Sequence, residues 1–204
     1  MELRKPAMLA AAAMILLILT GACSTKPFLI VHYQLPPPAE TLADKTVSLV
    51  ITDIRKTKAF LSESAKKSLR EFNETYSLVV LKADGSGNLL GVYEVDALLA
   101  EIFKQRLNNL GLQVSPSSSQ SEYELEIKLK EFKLDLARRN WVVNMNYQAS
   151  LSKNSRIVAM ESVDGSAQRL KVMGAGDAEK LLGELLTDMV NKLDLVKLFQ
   201  QAQR

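Results

Sequence analysis

Cys23 is the only cysteine and His32 the only histidine in a chain of 204 residues. A single thiol excludes an internal disulfide and any zinc site built on several cysteines. Nucleophilic catalysis of the Ser-His-Asp kind needs an imidazole base, and His32 has neither an acidic nor a nucleophilic neighbour in its N-terminal stretch. It reads as a solvated histidine, not as a ligand or base. Asp84-Gly85-Ser86 has the outline of a nucleophile motif, but no base follows it. Gly85, Gly87 and Asn88 are the residue types that a tight turn with positive φ selects. Gly174-Ala175-Gly176-Asp177 precedes a helical pattern and could cradle an anion. It lacks the lysine of a phosphate loop and the spacing of a dinucleotide fingerprint, so a plain loop is the simpler reading. Asp53 and Glu94 would work as acid and base only if the fold joined them, and nothing in the sequence does. The expectation is a non-enzymatic protein with no catalytic residue, no metal site and no cofactor. Lys and Arg number 26 against 23 Asp and Glu, a formal charge of +3 with the signs interleaved, which argues against nucleic acid as a partner.

The chemistry left to Cys23 is set by its position. Arg4 and Lys5 precede an unbroken apolar run over residues 7–19, and these 13 residues have the length of a signal-peptide core and are short for a membrane span. Leu19-Thr20-Gly21-Ala22-Cys23-Ser24 then resembles the bacterial lipobox, with its leucine one position further out than usual. That resemblance implies a diacylglyceryl thioether on Cys23, cleavage before it and acylation of the new N-terminus with a palmitate-type chain. One acyl chain holds a protein only marginally, whereas several hold it stably. In the same family Ser24, not being Asp, implies the inner leaflet of the outer membrane, facing the periplasm. The other reading is an ordinary secretory signal cut near Ala22, leaving a free thiol.

The elements behind this segment follow from periodicity. Pro27, Pro36, Pro37 and Pro38 suggest an extended polyproline spacer over residues 24–45, with a short edge strand at 31–35. Val47, Leu49 and Ile51 alternate with polar neighbours and begin the core strands. Residues 55–75 carry Lys56, Lys58, Lys66, Lys67 and Arg70 among interleaved acids, with Phe60, Leu61, Ala65, Leu69 and Phe72 at roughly helical spacing. A solvated loop with a few anchors is the plain reading; a basic patch for lipid headgroups or other anionic envelope polymers is the sharper one. A hairpin is expected across residues 84–88, and a helix over 96–110 with Gly111 as its left-handed cap. After a serine-rich loop, Tyr123, Leu125, Ile127 and Leu129 alternate, and then Phe132, Leu134 and Leu136 continue in the opposite phase. Such a slip requires a β-bulge near Lys130 and Glu131. Two further strands follow, one over 141–151 and one over 157–163 that the pattern allows to continue past Asp164-Gly165 over 167–172, then a helix capped by Asp177 and a short one capped by Asp194. The fold class is α+β: a mixed, mostly antiparallel sheet with three long C-terminal strands, covered on one face by two main helices. The expected division is a signal peptide over 1–22, a lipidated Cys and Pro-rich tether over 23–45, and one periplasmic domain over 46–204.

Residues 47–51 with Asp53-Ile54-Arg55, residues 107–114, residues 125–129 and residues 186–189 resemble the YajG-type family of outer-membrane lipoproteins. Tyr33-Gln34-Leu35-Pro36 is similar to the start of auxiliary lipoproteins of ABC transporters that move lipid across the envelope. Neither resemblance implies catalytic residues. Both imply binding by surfaces, which is analogy from fold. The leading expectation is a non-catalytic binding or accessory module, held to the membrane by its anchor, with an envelope protein as partner. That partner would meet the basic residues named above or an open sheet face around Asn144, Asn146 and Gln148. The alternative is a transport auxiliary that docks on the transporter or holds lipid in a cleft between the sheet and the apolar helix faces of 98–110 and 181–193.

Overall fold

The computed structural model describes residues 27–202 except 40, 117–120 and 173. The signal segment 1–22 and Cys23 lie outside the described residues, as do Ser117, Ser118 and Ser119 of the expected serine loop.

The three long strands are β6 (Tyr123–Ala137), β7 (Asn140–Lys153) and β8 (Arg156–Leu170), paired antiparallel in that order. The expected bulge is present. Leu129 faces Tyr147 and Glu131 faces Asn146, which leaves Lys130 without an opposite residue. That single extra residue keeps Leu125, Ile127 and Leu129, and after it Phe132 and Leu134, on one buried face. Trp141, Val143, Met145, Tyr147, Ala149 and Leu151 of β7 bury beside them. β2 (Thr46–Asp53) runs parallel to β6, and β5 (Gln113–Ser115) runs parallel to β2, so this sheet has the order β5-β2-β6-β7-β8. The turn between β7 and β8 puts both Asn154 (φ 49°) and Ser155 (φ 60°) in the left-handed region, the conformation of a type I′ hairpin. A side chain at such a position costs energy that glycine avoids, so Ser155→Gly should raise stability by roughly 0.5–1 kcal/mol in urea denaturation.

A second sheet departs from the expectation of one. β1 (Phe28–Gln34) lies parallel to β3 (Thr75–Leu81), and β3 pairs antiparallel with β4 (Gly87–Tyr93) across the expected hairpin. The Pro-rich tether over 23–45 is therefore corrected. Leu29, Val31 and Tyr33 alternate into the core, Leu42 is buried, and the Ala39 and Leu42 N–H groups donate to the carbonyls of Asn109 and Leu110. Alternating apolar residues favour burial over an extended, solvated chain, and the prolines flank the strand, Pro27 before it and Pro36, Pro37 and Pro38 after it, leaving its interior free of them.

The helices hold the two sheets together. α1 (Glu63–Ser68) is capped by Ser62, whose hydroxyl accepts from the Ala65 N–H. α2 (Val95–Asn109) touches β2 and β5 of one sheet and β3 and β4 of the other. Gly111 follows it at φ 85°, as its cap position requires. α3 (Ala175–Lys192) packs along β1 and across β7 and β8. Asp177 is not its N-cap, as Gly174 holds that place. The Asp177 carboxylate instead accepts the Val172 N–H, tying the helix start to the end of β8. α4 (Leu195–Gln201) is capped by Asp194, as expected. The facing residues Leu98, Leu99, Ile102 and Phe103 of α2 and Leu181, Leu182, Leu185 and Leu186 of α3 are all at most 3% exposed. The two apolar helix faces are thus closed by packing, which corrects the expected lipid cleft between them and the sheet.

Candidate functional site

Chain direction sorts the surface into two ends. β1 and β3 run parallel to each other, as do β2 and β6, and the bonds from Asn73 to Pro27 and from Lys171 to Ser68 and Arg139 set the start of β1 and β3 at the end where β6 and β8 close, so the two strand pairs run in opposite directions. One end therefore gathers the N-terminus of β1, the 54–74 segment, the β6–β7 turn and the start of α3. The other gathers the β3–β4 and β7–β8 turns and α4.

At the first end the structure brings together the carboxylates that the sequence left apart. Asp53 and Glu94 line one cleft of about 370 Å³ with Arg55, Lys58, Glu74 and Tyr76. Asp53 is nevertheless engaged. Arg55 binds it in a fork, Nε to Oδ1 at 3.0 Å and Nη2 to Oδ2 at 2.9 Å, and Lys58 approaches Oδ1 to 3.1 Å. Burial works to raise its pKa, but the hydrogen bonds from Arg55 and Lys58 outweigh that and bring it down to about 2. A carboxyl held ionised in this way cannot donate a proton near neutral pH. Burial, helped by the charge of Glu74, pushes the Tyr76 phenol well above its ordinary value, so it is no base either. Asp53 and Tyr76 therefore make no acid–base couple near neutral pH.

The expected partner surface does not form one site. Lys58 is taken by Asp53, donating also to its backbone carbonyl at 2.6 Å, and Lys66 pairs with Glu63 at 3.1 Å. Asn144, Asn146 and Gln148 stand on the face of the five-stranded sheet turned away from the helices, opposite Ser166, Asp164 and Ser162. Lys130 donates to the Gln148 side chain at 2.7 Å, and Lys56 shares a cleft with Lys130 and Lys133 beside that amide row. Lys67 and Arg70 lie elsewhere. They line a groove of about 720 Å³ with Phe28, Phe72 and Lys171.

Three cations of this end carry no site signal in the sequence, where Arg138 and Arg139 read only as a turn. Arg138 and Arg139 form the exposed β6–β7 turn, and Lys171 follows β8. The Lys171 N–H donates to the Arg139 carbonyl at 2.8 Å, and its Nζ donates to Ser68 Oγ at 2.7 Å. These two bonds join three segments distant in sequence. The signal was available in the hairpin register, which sets the end of β8 beside the start of β7, but it requires pairing two strand ends that carry no motif.

The same end holds the chain's exit toward Cys23. The Asn73 N–H donates to the Pro27 carbonyl at 3.0 Å, directly ahead of β1. Five residue steps separate Cys23 from Phe28, which at full extension span at most about 18 Å.

The class defined is an α+β domain of two mixed sheets joined by helices. No family model matches the chain, and a search of curated proteins finds no match. Among solved structures, protein XCC0632 from Xanthomonas campestris, described as a member of family DUF330, superposes with a TM-score of 0.54 at 14% identity, covering 88% of this chain and 100% of that one. At that identity the likeness shows a shared fold alone. Protein CT253 from Chlamydia trachomatis aligns at a TM-score of 0.48 and 9% identity, covering 79% of this chain and 100% of its own. A minor lipoprotein from Acinetobacter baumannii aligns at 0.37 and 11%, covering 78% and 94%. Among the described residues, no helix is long and apolar enough to cross a membrane.

Proposed function

We propose that the chain is a lipid-anchored lipoprotein of the bacterial envelope, facing the periplasm from the inner leaflet of the outer membrane and acting as a non-catalytic binding or accessory module. The observation that carries the reading is the placement of the sole cysteine. Cys23 ends an apolar, signal-like segment and stands five residue steps ahead of the first strand. An acylated Cys23 would hold the domain at the bilayer and not at the end of a long spacer. The engaged state of Asp53 supports a module that binds over one that reacts.

The stretches shared with the YajG-type family fall in β2, at the end of α2, in β6 and in α3, all of which build the core. They support kinship of fold and leave the partner open. Tyr33, which carries much of the likeness to transport auxiliaries, is fully buried and donates to Asn191 at 3.0 Å. That likeness also rests on residues that form structure, so docking on a transporter stays the alternative role for the same anchored domain.

Intact-mass measurement of the protein purified from membranes tests the anchor. The expected product begins at Cys23 and carries acyl chains, and Cys23→Ala should move essentially all of it into the soluble periplasmic fraction. An unmodified thiol in a protein that is already soluble would refute the reading.

A further inference from the structure

The end of the domain that gathers the chain's exit also gathers exposed cations. Lys67 and Arg70 lie on the segment that runs into Asn73, the residue bonded to Pro27. Lys171 links that segment to the Arg138-Arg139 turn through its bonds to Ser68 and Arg139. The result is one continuous patch at the point where the tether leaves. Two aliphatic side chains stand out of the same patch, Leu170 at 51% exposed and Val172 at 74% exposed. The nearby acids are fewer. Glu71 and Glu179 line the adjoining groove, Glu179 already accepts the Ile30 N–H at 2.9 Å, and Asp177 accepts the Val172 N–H at 2.7 Å.

We propose that this patch, Lys67, Arg70, Arg138, Arg139 and Lys171, rests on anionic phospholipid headgroups, with Leu170 and Val172 reaching between them. The inference builds on the anchored reading. A tether of at most about 18 Å keeps the patch near the bilayer, where the surface field decays over about 10 Å at 0.1 M salt. Basic side chains close to such a surface are attracted one by one, and a polybasic patch beside an acyl chain supplies a second membrane signal. An acidic protein is the competing occupant, but the covalent anchor brings the bilayer, and not a protein, to this end of the fold. The contact would fix the orientation of the domain, turning the hairpin tip at Gly85 and the β7–β8 turn toward the periplasm.

The test uses the chain from residue 23 onward with Cys23→Ser, so that no acyl chain is present in any arm. Vesicles of phosphatidylethanolamine with phosphatidylglycerol are compared with neutral phosphatidylcholine vesicles by co-sedimentation. Binding to the anionic vesicles is expected to be at least about tenfold tighter and to weaken as salt rises. Arg138→Glu with Arg139→Glu should lower it about tenfold again. Arg156→Glu, at the start of β8 on the opposite end, should leave it unchanged. Equal binding to both vesicles, no binding by a protein that circular dichroism shows to be folded, or equal losses in the two variants would overturn the proposal. These outcomes do not depend on whether Cys23 is acylated, which the mass measurement decides separately.

Discussion

Replacing Gly183 with leucine is expected to lower the stability of the domain by about 3 kcal/mol or more, the upper range for forcing atoms into a packed site. Gly183 lies near the middle of the 18-residue helix α3. On helix propensity alone, glycine there costs roughly 1 kcal/mol relative to alanine, so alanine ought to be an improvement. The packing says otherwise. A Cβ at this position would stand 2.7 Å from the His32 carbonyl oxygen and 3.2 Å from its nitrogen, both backbone atoms of β1 that no rotamer change can move aside. The helix lies this close because it covers the unpaired edge of β1, a row of N–H and C=O groups that would otherwise face solvent. Its side chains reach that edge at both ends. Glu179 accepts from the Ile30 N–H, Thr187 Oγ1 accepts from the Gln34 N–H at 3.0 Å, and the Asn191 side chain donates to the Gln34 carbonyl at 3.1 Å. Pushing the helix outward strains all three bonds at once. Gly183→Ala should therefore destabilise by about 1 kcal/mol net, steric cost exceeding propensity gain, with leucine well beyond it. Urea denaturation of both variants checks the order. A stabilised alanine variant would show that helix and strand are not in this close contact.

The same contact explains what the sequence made legible and what it hid. The bulge in β6 was readable because period-2 alternation is a local signal, and a change of phase between Leu129 and Phe132 has few other causes. The α2 stripe, the Gly111 cap and the Asp194 cap were readable for the same reason. β1 was half readable. Its alternation is clear, but the prolines that follow favoured a tether, and nothing local shows that Glu179, Thr187 and Asn191, about 150 residues away, will supply partners for its edge. The second sheet was hidden because parallel pairing of β1 with β3 is a long-range choice that leaves no mark on either strand alone. Of the surface, Lys67 and Arg70 were singled out because they sit in a charged run. Arg138, Arg139 and Lys171 were passed over because each is an ordinary strand-end residue until the register unites them.

Removing the Arg55 side chain is the other change expected to have a large effect. Arg55 is 7% exposed, and its guanidinium forks onto Asp53 and donates through Nη1 to the Phe132 carbonyl at 3.2 Å, so it joins the end of β2 to β6 just past the bulge. Breaking a buried pair by deleting one partner costs about 3–5 kcal/mol, because the other charge stays behind without compensation. Asp53 keeps Lys58 and some solvent, which places Arg55→Ala near about 3 kcal/mol. Arg55→Met with Asp53→Asn should cost less than Arg55→Ala alone, since no unpaired charge remains. The pair also sets a pH dependence whose sign follows from the lowered carboxylate. Asp53 titrates near 2 in the folded protein against an ordinary value of 3.8, so its contribution is complete above about pH 4 and is lost as the pH falls toward 2. A shift of that size corresponds to about 2 kcal/mol. Denaturation midpoints measured at pH 6 and pH 2.5 should converge between the parent chain and the Arg55→Met, Asp53→Asn double variant as acid removes the same interaction. An unchanged gap between them would mean that the fork does not hold Asp53 ionised. In that case the carboxylate that shares the cleft with Glu94 would stand unengaged, open to a cationic ligand in place of Arg55.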